Sequence, residues 1–521
     1  VTNGMVAPWM VSASDQQFVT YNADTGFTIA GFDRVQGTTT HTGLLSLPTA
    51  RTLFNGVQTL NGGSVQVHAA RLDTDFNLTT ASAATDSINR LIIESGGLIA
   101  QSGATRTIQT GLWAGAAGDQ ELIIYNAATL NIGRTDANTT SGRIRASQIT
   151  KMGAGTLQIL SDQPDFSGDI RVQQGSLQLT HSLAMASNLS SNLGGNGGTI
   201  WLDGAGTQLI LRIGNDADTT ARTFTLNNSV ALGDFVPTAS INLDRAGGTT
   251  QNKTIIMNNL TFGQNTGDNG QVLNIRINQT GANPQTNYNL QFNGTTTLVG
   301  RSSFSVDNSY SGAVPNLFLD GPVVGTGMLI KGPADSKTRS MFLRNVTTLN
   351  TYSGGTTLAG GVLQVFAHSP NVAANVSTNI TRGGLGNGDI TLMQGDLQIR
   401  LNNVEGGVAT DTNIEFIRLT SSGVGNNVFV NGSATLNADR ISGGDGTNKM
   451  ITFNNLTIGA QTLTTSSGNT YGFAFAGNTL IQGNPNFNFA AETVFGGGAG
   501  ASGTANSIQI DGGGQVILNK I

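Results

Sequence analysis

The sequence predicts an all-β solenoid, a chain of short parallel strands stacked coil upon coil. Three observations predict it. Apolar and polar residues alternate with period two over stretches of about five residues. Gly, 71 of the 521 residues, bounds those stretches together with Asn and Asp. Blocks of sequence recur about 190 residues apart.

The alternation is visible along the whole chain, as in Ser64-Val65-Gln66-Val67-His68, Thr156-Leu157-Gln158-Ile159-Leu160 and Asp396-Leu397-Gln398-Ile399. A strand of this kind buries one face and presents the other, and its backbone groups need partners on both sides. Helical periodicity is never sustained; residues 182–193 are the best candidate for a short helix or loop. Without helical spacers, a sandwich or barrel would close within about 250 residues, whereas a solenoid continues indefinitely.

The repeat decides for the solenoid. The block Lys151-Met152-Gly153-Ala154-Gly155-Thr156-Leu157 through Gly175-Ser176-Leu177-Gln178-Leu179 has a counterpart from Lys331-Gly332 to Gly361-Val362-Leu363-Gln364-Val365. Asn242-Leu243-Asp244-Arg245 matches Asn437-Ala438-Asp439-Arg440, and Asn258-Asn259-Leu260-Thr261 matches Asn454-Asn455-Leu456-Thr457. The offset grows from 180 to 196 along the pair, so small insertions at turns are expected. The organisation read from this is an N-terminal β module over 1–90, a section over 91–330 whose first unit starts at 151, and a second unit over 331–521. At about 20–25 residues per coil, the chain would make on the order of 20–25 coils, a rod of about 100–120 Å.

Composition excludes several functions. Charged residues are 11 % of the chain against about 25 % in ordinary soluble domains, and the net charge is −5. No basic face is available for nucleic acid. Hydrophobic residues at 38 % are too many for plain disorder. Cysteine is absent, which removes disulfides, thiolate metal sites and Cys nucleophiles. There is neither a basic, apolar leader nor a run of 18 apolar residues, and the first residue is Val1; either a signal has been removed or the chain is part of something larger.

At the repeated residues the chain resembles the passenger-associated repeat of bacterial autotransporters. The match lies in residues 151–160 with 166–179, in residues 352–365 and in residues 385–399. Glu121-Leu122-Ile123-Ile124-Tyr125-Asn126 through Leu130-Asn131-Ile132-Gly133, and the opening Gly4, Pro8-Trp9 and Phe18-Val19-Thr20-Tyr21, resemble segments that precede the repeat in very large proteins of this type. The resemblance departs at residues 333–349, where the usual G-x-G-T-L strand is replaced and extended. It implies a right-handed parallel β-helix, with turn and hairpin insertions, displayed on or shed from a bacterial surface. It does not imply one activity.

Candidate chemistry is sparse. Parallel β-helices host polysaccharide lyases and glycosidases, which need clustered carboxylates beside Arg, Lys or His. Asp244-Arg245 and Asp439-Arg440 are the candidates, but both occupy the same place in the two units; an active site is built once, while a turn ion pair recurs with the fold. His181-Ser182 and His368-Ser369 likewise follow equivalent strands, and His41 and His68 lack metal-ligand spacing. The Gly runs at 194–198 and 496–500 have no Lys-Ser/Thr after them and no helix to receive a phosphate. Gly443-Gly444-Asp445-Gly446 is a single turn where calcium-binding nonapeptides come in tandem. Trp9, Trp113 and Trp201 read as core or coil-stacking residues rather than a sugar platform. The sequons at Asn77 and Asn259 are expected by chance in so Asn- and Thr-rich a chain.

The expected function is therefore that of a non-enzymatic extracellular structural element, with no catalytic residue, cofactor or metal. Its expected partners are further copies, end to end or laterally, with surface glycans or host-cell contacts as further candidates. Membrane attachment would need an anchor outside this sequence. The alternative is a polysaccharide-degrading or glycan-binding β-helix.

Overall fold

A computed structural model describes residues 1–78, 88–133, 141–181, 189–191, 195, 197–213, 222–245, 253–264, 270–277, 288–307, 315–332, 340–345, 347–367, 380–381, 383–401, 415–420, 425–441, 449–495, 508–511 and 517–520. Among these the chain is all-β, with no helix and with long parallel sheets. Of residues 182–193, strand Leu189–Ser191 is described and pairs in parallel with Arg222–Leu226. The chain forms two compact units, Val1–Asn258 with Ile277–Thr286, and Asn259–Arg276 with Asn287–Ile521.

The first unit opens on a three-stranded antiparallel sheet, Val11–Ser12, Gln17–Asn22 and Gly26–Ile29. Its Met5, Phe18 and Ala30 pack on Ala69 and Ile99 of the parallel strands. Beyond it every pairing between the described strands is parallel, and each strand meets one a coil later. In the ladder of Leu130–Ile132, Thr156–Ile159, Ser176–His181, Gln208–Ile213 and Thr238–Arg245, the register aligns Leu130, Leu157, Leu177, Leu209 and Ile241 in one inward column. Ile132, Ile159, Leu179, Leu211 and Leu243 form a second. All ten are buried. Burial of each such side chain stabilises the coil by about 1.5–3 kcal/mol before entropy is charged against it.

The coils are longer and less regular than the alternation suggests. Leu130↔Leu157, Leu157↔Leu177 and Leu177↔Leu209 are steps of 27, 20 and 32 residues. Ile390↔Val428, in the second unit, is a step of 38. The strands account for the periodic part of each coil, and the turns between them take up variable lengths at little loop-closure cost. Coils of this length are correspondingly fewer than the 20 to 25 expected.

The second unit has the same construction. Met328–Lys331, Thr356–Leu358, Ile390–Leu392, Val428–Val430, Leu456–Ile458 and Thr479–Gln482 form one parallel ladder. Asn316–Leu319, Ser340–Leu343, Val362–Ala367, Gly395–Leu401, Ala434–Arg440 and Thr462–Ser467 form another. The strand Ser340–Leu343 lies in the stretch where the repeat pattern fails, and it pairs on both sides all the same. Leu363, Leu397 and Leu436 stack inward while Gln364, Gln398 and Asn437 stack outward. The outward amides bond from coil to coil: Gln364 Nε2 donates to Gln398 Oε1 over 2.8 Å, and Asn437 Nδ2 to Ser466 Oγ over 2.9 Å.

Candidate functional site

The two Asp-Arg motifs share a cross-coil register but lie in different sheets and bond differently. Asp244 stands opposite Arg212 of the preceding coil, and Asp439 opposite Arg400. The Asp244 side chain is buried, with Oδ2 3.3 Å from Arg212 Nε. Asp439 Oδ1 accepts from Asn469 Nδ2 at 2.5 Å and from the Arg440 amide at 2.8 Å. Burial lowers the Arg400 pKa, and the Asp439 charge acts in the opposite sense. Both carboxylates are thus tied to neighbouring chain. Replacing both with Asn should lower stability by about 1–3 kcal/mol per site, through loss of charge-assisted bonds to half-buried partners. A reducing-end assay on polysaccharide substrates should give the same result for the double variant as for the parent; any cleavage lost with it would make these residues catalytic.

The side chains of two histidines are described. His41 Nε2 lies 3.0 Å from Gln58 Oε1, and Gln58 donates onward to the Gly37 carbonyl at 2.8 Å. His68 Nδ1 lies 3.1 Å from Asn3 Nδ2, and its pKa is lowered, first by burial and then by Arg51. The side chains of His181 and His368 lie outside the described residues, as do the Gly runs at 443–446 and 496–500 and, of the run at 194–198, Gly194 and Asn196. Among the described residues no three His, Cys, Asp or Glu side chains come together as a metal-sized cluster.

Two of the tryptophans stack between coils. Trp113 lies between the guanidinium groups of Arg90 and Arg145, 4.1 and 4.8 Å from its ring centroid. Both indole faces are therefore covered, which leaves no platform for a sugar. Trp201 packs against Arg171 at 4.7 Å and donates to Asp169 Oδ2 at 3.0 Å. Trp9 is exposed. The Asn259 sequon is structurally engaged, since Asn259 Oδ1 accepts from the Thr295 amide at 2.8 Å.

One arrangement in the second unit was not anticipated from sequence. The register of its first ladder places Met328, Gly355, Asp389, Asn427, Asn455 and Asn478 in one column, each at or immediately before the start of its strand. The Asn478 amide donates to Asn455 Oδ1 (2.7 Å), Asn455 Nδ2 to Asn427 Oδ1 (2.9 Å), and Asn427 Nδ2 to Asp389 Oδ1 (2.9 Å). Every donor in this relay points toward Asp389. The next rung is Gly355, which has no side chain. A surface cavity of about 360 Å³ adjoins that position, lined by Met328, Ser353, Gly354, Thr357, Gly388, Asp389, Thr391 and Phe429. The signal in sequence is an Asp or Asn before each strand, in Asp389-Ile390, Asn427-Val428, Asn455-Leu456 and Asn478-Thr479. Unequal coil lengths hide it.

The fold and these sites define a class: an all-β protein of stacked parallel strands whose polar residues bond chiefly from coil to coil. No known protein family, curated protein or solved structure matches the chain.

Proposed function

We propose that the chain is a non-enzymatic extracellular β-solenoid, a right-handed parallel β-helix that serves as a rod or fibre segment of a bacterial surface appendage or adhesin. The observation that carries this reading is the reuse of the same cross-coil Arg–Asp register in both units, Arg212↔Asp244 and Arg400↔Asp439. Residues that could act on a substrate are spent on joining coils, as a scaffold requires. The resemblance of residues 151–179 and 352–399 to the autotransporter passenger repeat supports the surface location. A glycoside-hydrolysing site typically uses two carboxylates about 5–10 Å apart, and Asp389 is the one carboxylate that lines the cavity beside Gly355.

Self-association belongs to the same reading. Strand Arg34–Gln36 pairs with residues 52–54 of strand Leu44–Phe54 on one side, and among the described residues no strand pairs its other side. Val35, at its centre, is 58 % exposed. An open edge with an exposed apolar residue favours pairing with a further strand. Sedimentation velocity tests the reading: the weight-average sedimentation coefficient should rise with concentration through the micromolar range. One that stays constant over that range would overturn the fibre role.

A further inference from the structure

We propose that the cavity beside Gly355 is a binding site for a neutral hexopyranose unit of a glycan. The proposal goes beyond the scaffold role. It begins from the column of residues beside which the cavity lies. The column at the strand starts carries a side chain at Met328, Asp389, Asn427, Asn455 and Asn478, and none at Gly355. The backbone requires glycine there, because φ is +88° and an added Cβ would lie 2.6 Å from the Asp389 carbonyl oxygen. A missing rung is thus built into the ladder. The interval from Met328 to Asp389 is two ladder steps, about 10 Å, which accommodates one pyranose ring with its hydroxyls.

The lining has two characters. On the outward column of the same ladder, Thr357 and Thr391 lie side by side, followed by Phe429. Two small hydroxyl side chains therefore form a floor, with the Phe429 ring at one end and the Met328 thioether at the other. Thr357 Oγ1 is 3.5 Å from Met328 Sδ, a weak contact that leaves its oxygen able to accept. Ser353 and Asp389 are exposed at the rim.

Asp389 is held ready to accept. Its Oδ1 takes the Asn427 bond and so fixes the rotamer, while Oδ2 has no hydrogen-bond partner among the described residues. The relay behind it aligns amide donors toward the carboxylate and so fixes its orientation. A fixed carboxylate, adjacent hydroxyls and an aromatic ring together suit a ring molecule with several hydroxyl donors and an apolar C–H face. Tight divalent-cation sites gain affinity from several carboxylates, and the lining supplies one. A cationic side chain would use Asp389 but leave the Thr357 and Thr391 hydroxyls without purpose.

Saturation-transfer NMR on the intact chain tests this, with methyl β-glucopyranoside, methyl β-galactopyranoside and N-acetylglucosamine as probes and methylammonium as the cationic control. At least one sugar should show saturable transfer. Asp389→Asn, which extends the amide ladder and so keeps the coil, should weaken that binding at least tenfold. Thr391→Phe fills the floor with a residue favoured in strands and should abolish it. Asp396→Asn, on the neighbouring ladder, should leave it unchanged. The proposal is overturned if all three sugars fail to bind, if binding survives Thr391→Phe, or if methylammonium binds and the sugars do not.

Discussion

Gly96→Ala should destabilise the first unit by about 3–5 kcal/mol, because two independent costs meet at this residue. Gly96 lies in the turn between strands Arg90–Ile93 and Gly97–Ala100, with φ at +73°. Left-handed backbone alone costs a non-glycine residue about 1–2 kcal/mol. In addition, a Cβ built on Gly96 would sit 1.8 Å from the Glu121 carbonyl oxygen of the next coil. Backbone cannot rotate aside as a side chain can, so the two coils must part locally. Gly26 separates the two costs. It has the same φ of +73°, but nothing lies within 4 Å of where its Cβ would stand. Gly26→Ala should therefore cost only about 1 kcal/mol. Urea unfolding midpoints of the two variants provide the comparison, and similar losses would show that coil-to-coil approach is not what the glycine protects.

Lys151→Met should remove a strong pH dependence of stability. Lys151 occupies an inward position, aligned with Ile124 of the preceding coil and Val172 of the following one. Its side chain is fully buried, and Nζ donates to the carbonyl oxygens of Met152, at 3.2 Å, and Gly153. Burial pulls its pKa down from 10.5 to about 7. The folded chain therefore holds the proton less tightly than the unfolded chain. Between pH 7 and 10.5 the unfolded state carries more protons, so stability rises with pH across this window and is flat in this group below it. The rise is about 3–5 kcal/mol in total. Urea midpoints at about pH 7, 8, 9 and 10 should climb in the parent chain more steeply than in Lys151→Met. Parallel climbs in the two proteins would show that the ammonium is solvated or paired in the native state.

The inward columns were legible in the sequence because period-two alternation is a local property. Leu130, Leu157 and Leu177 announce their face by the polar residues on either side, and stacking them is the way such strands cover both edges. The paired Asp-Arg motifs were legible for a related reason: recurrence at Asp244 and Asp439 marks a cross-coil register that both units use. Lys151 shows where this reading stops. Its place in a repeat motif is evident in the sequence, but its inward direction follows from the register that sets it between Ile124 and Val172. The column Met328–Gly355–Asp389–Asn427–Asn455–Asn478 lies further out of reach, since its members are 23 to 38 residues apart at unequal intervals. Alternation determines which residues of a strand face the core. Which residues of different coils become neighbours depends on turn lengths, and loop-closure free energy varies too slowly with length for local sequence to reveal the register. Only the hydrogen-bonded ladders decide that, and with it the gap at Gly355 and the carboxylate that faces it.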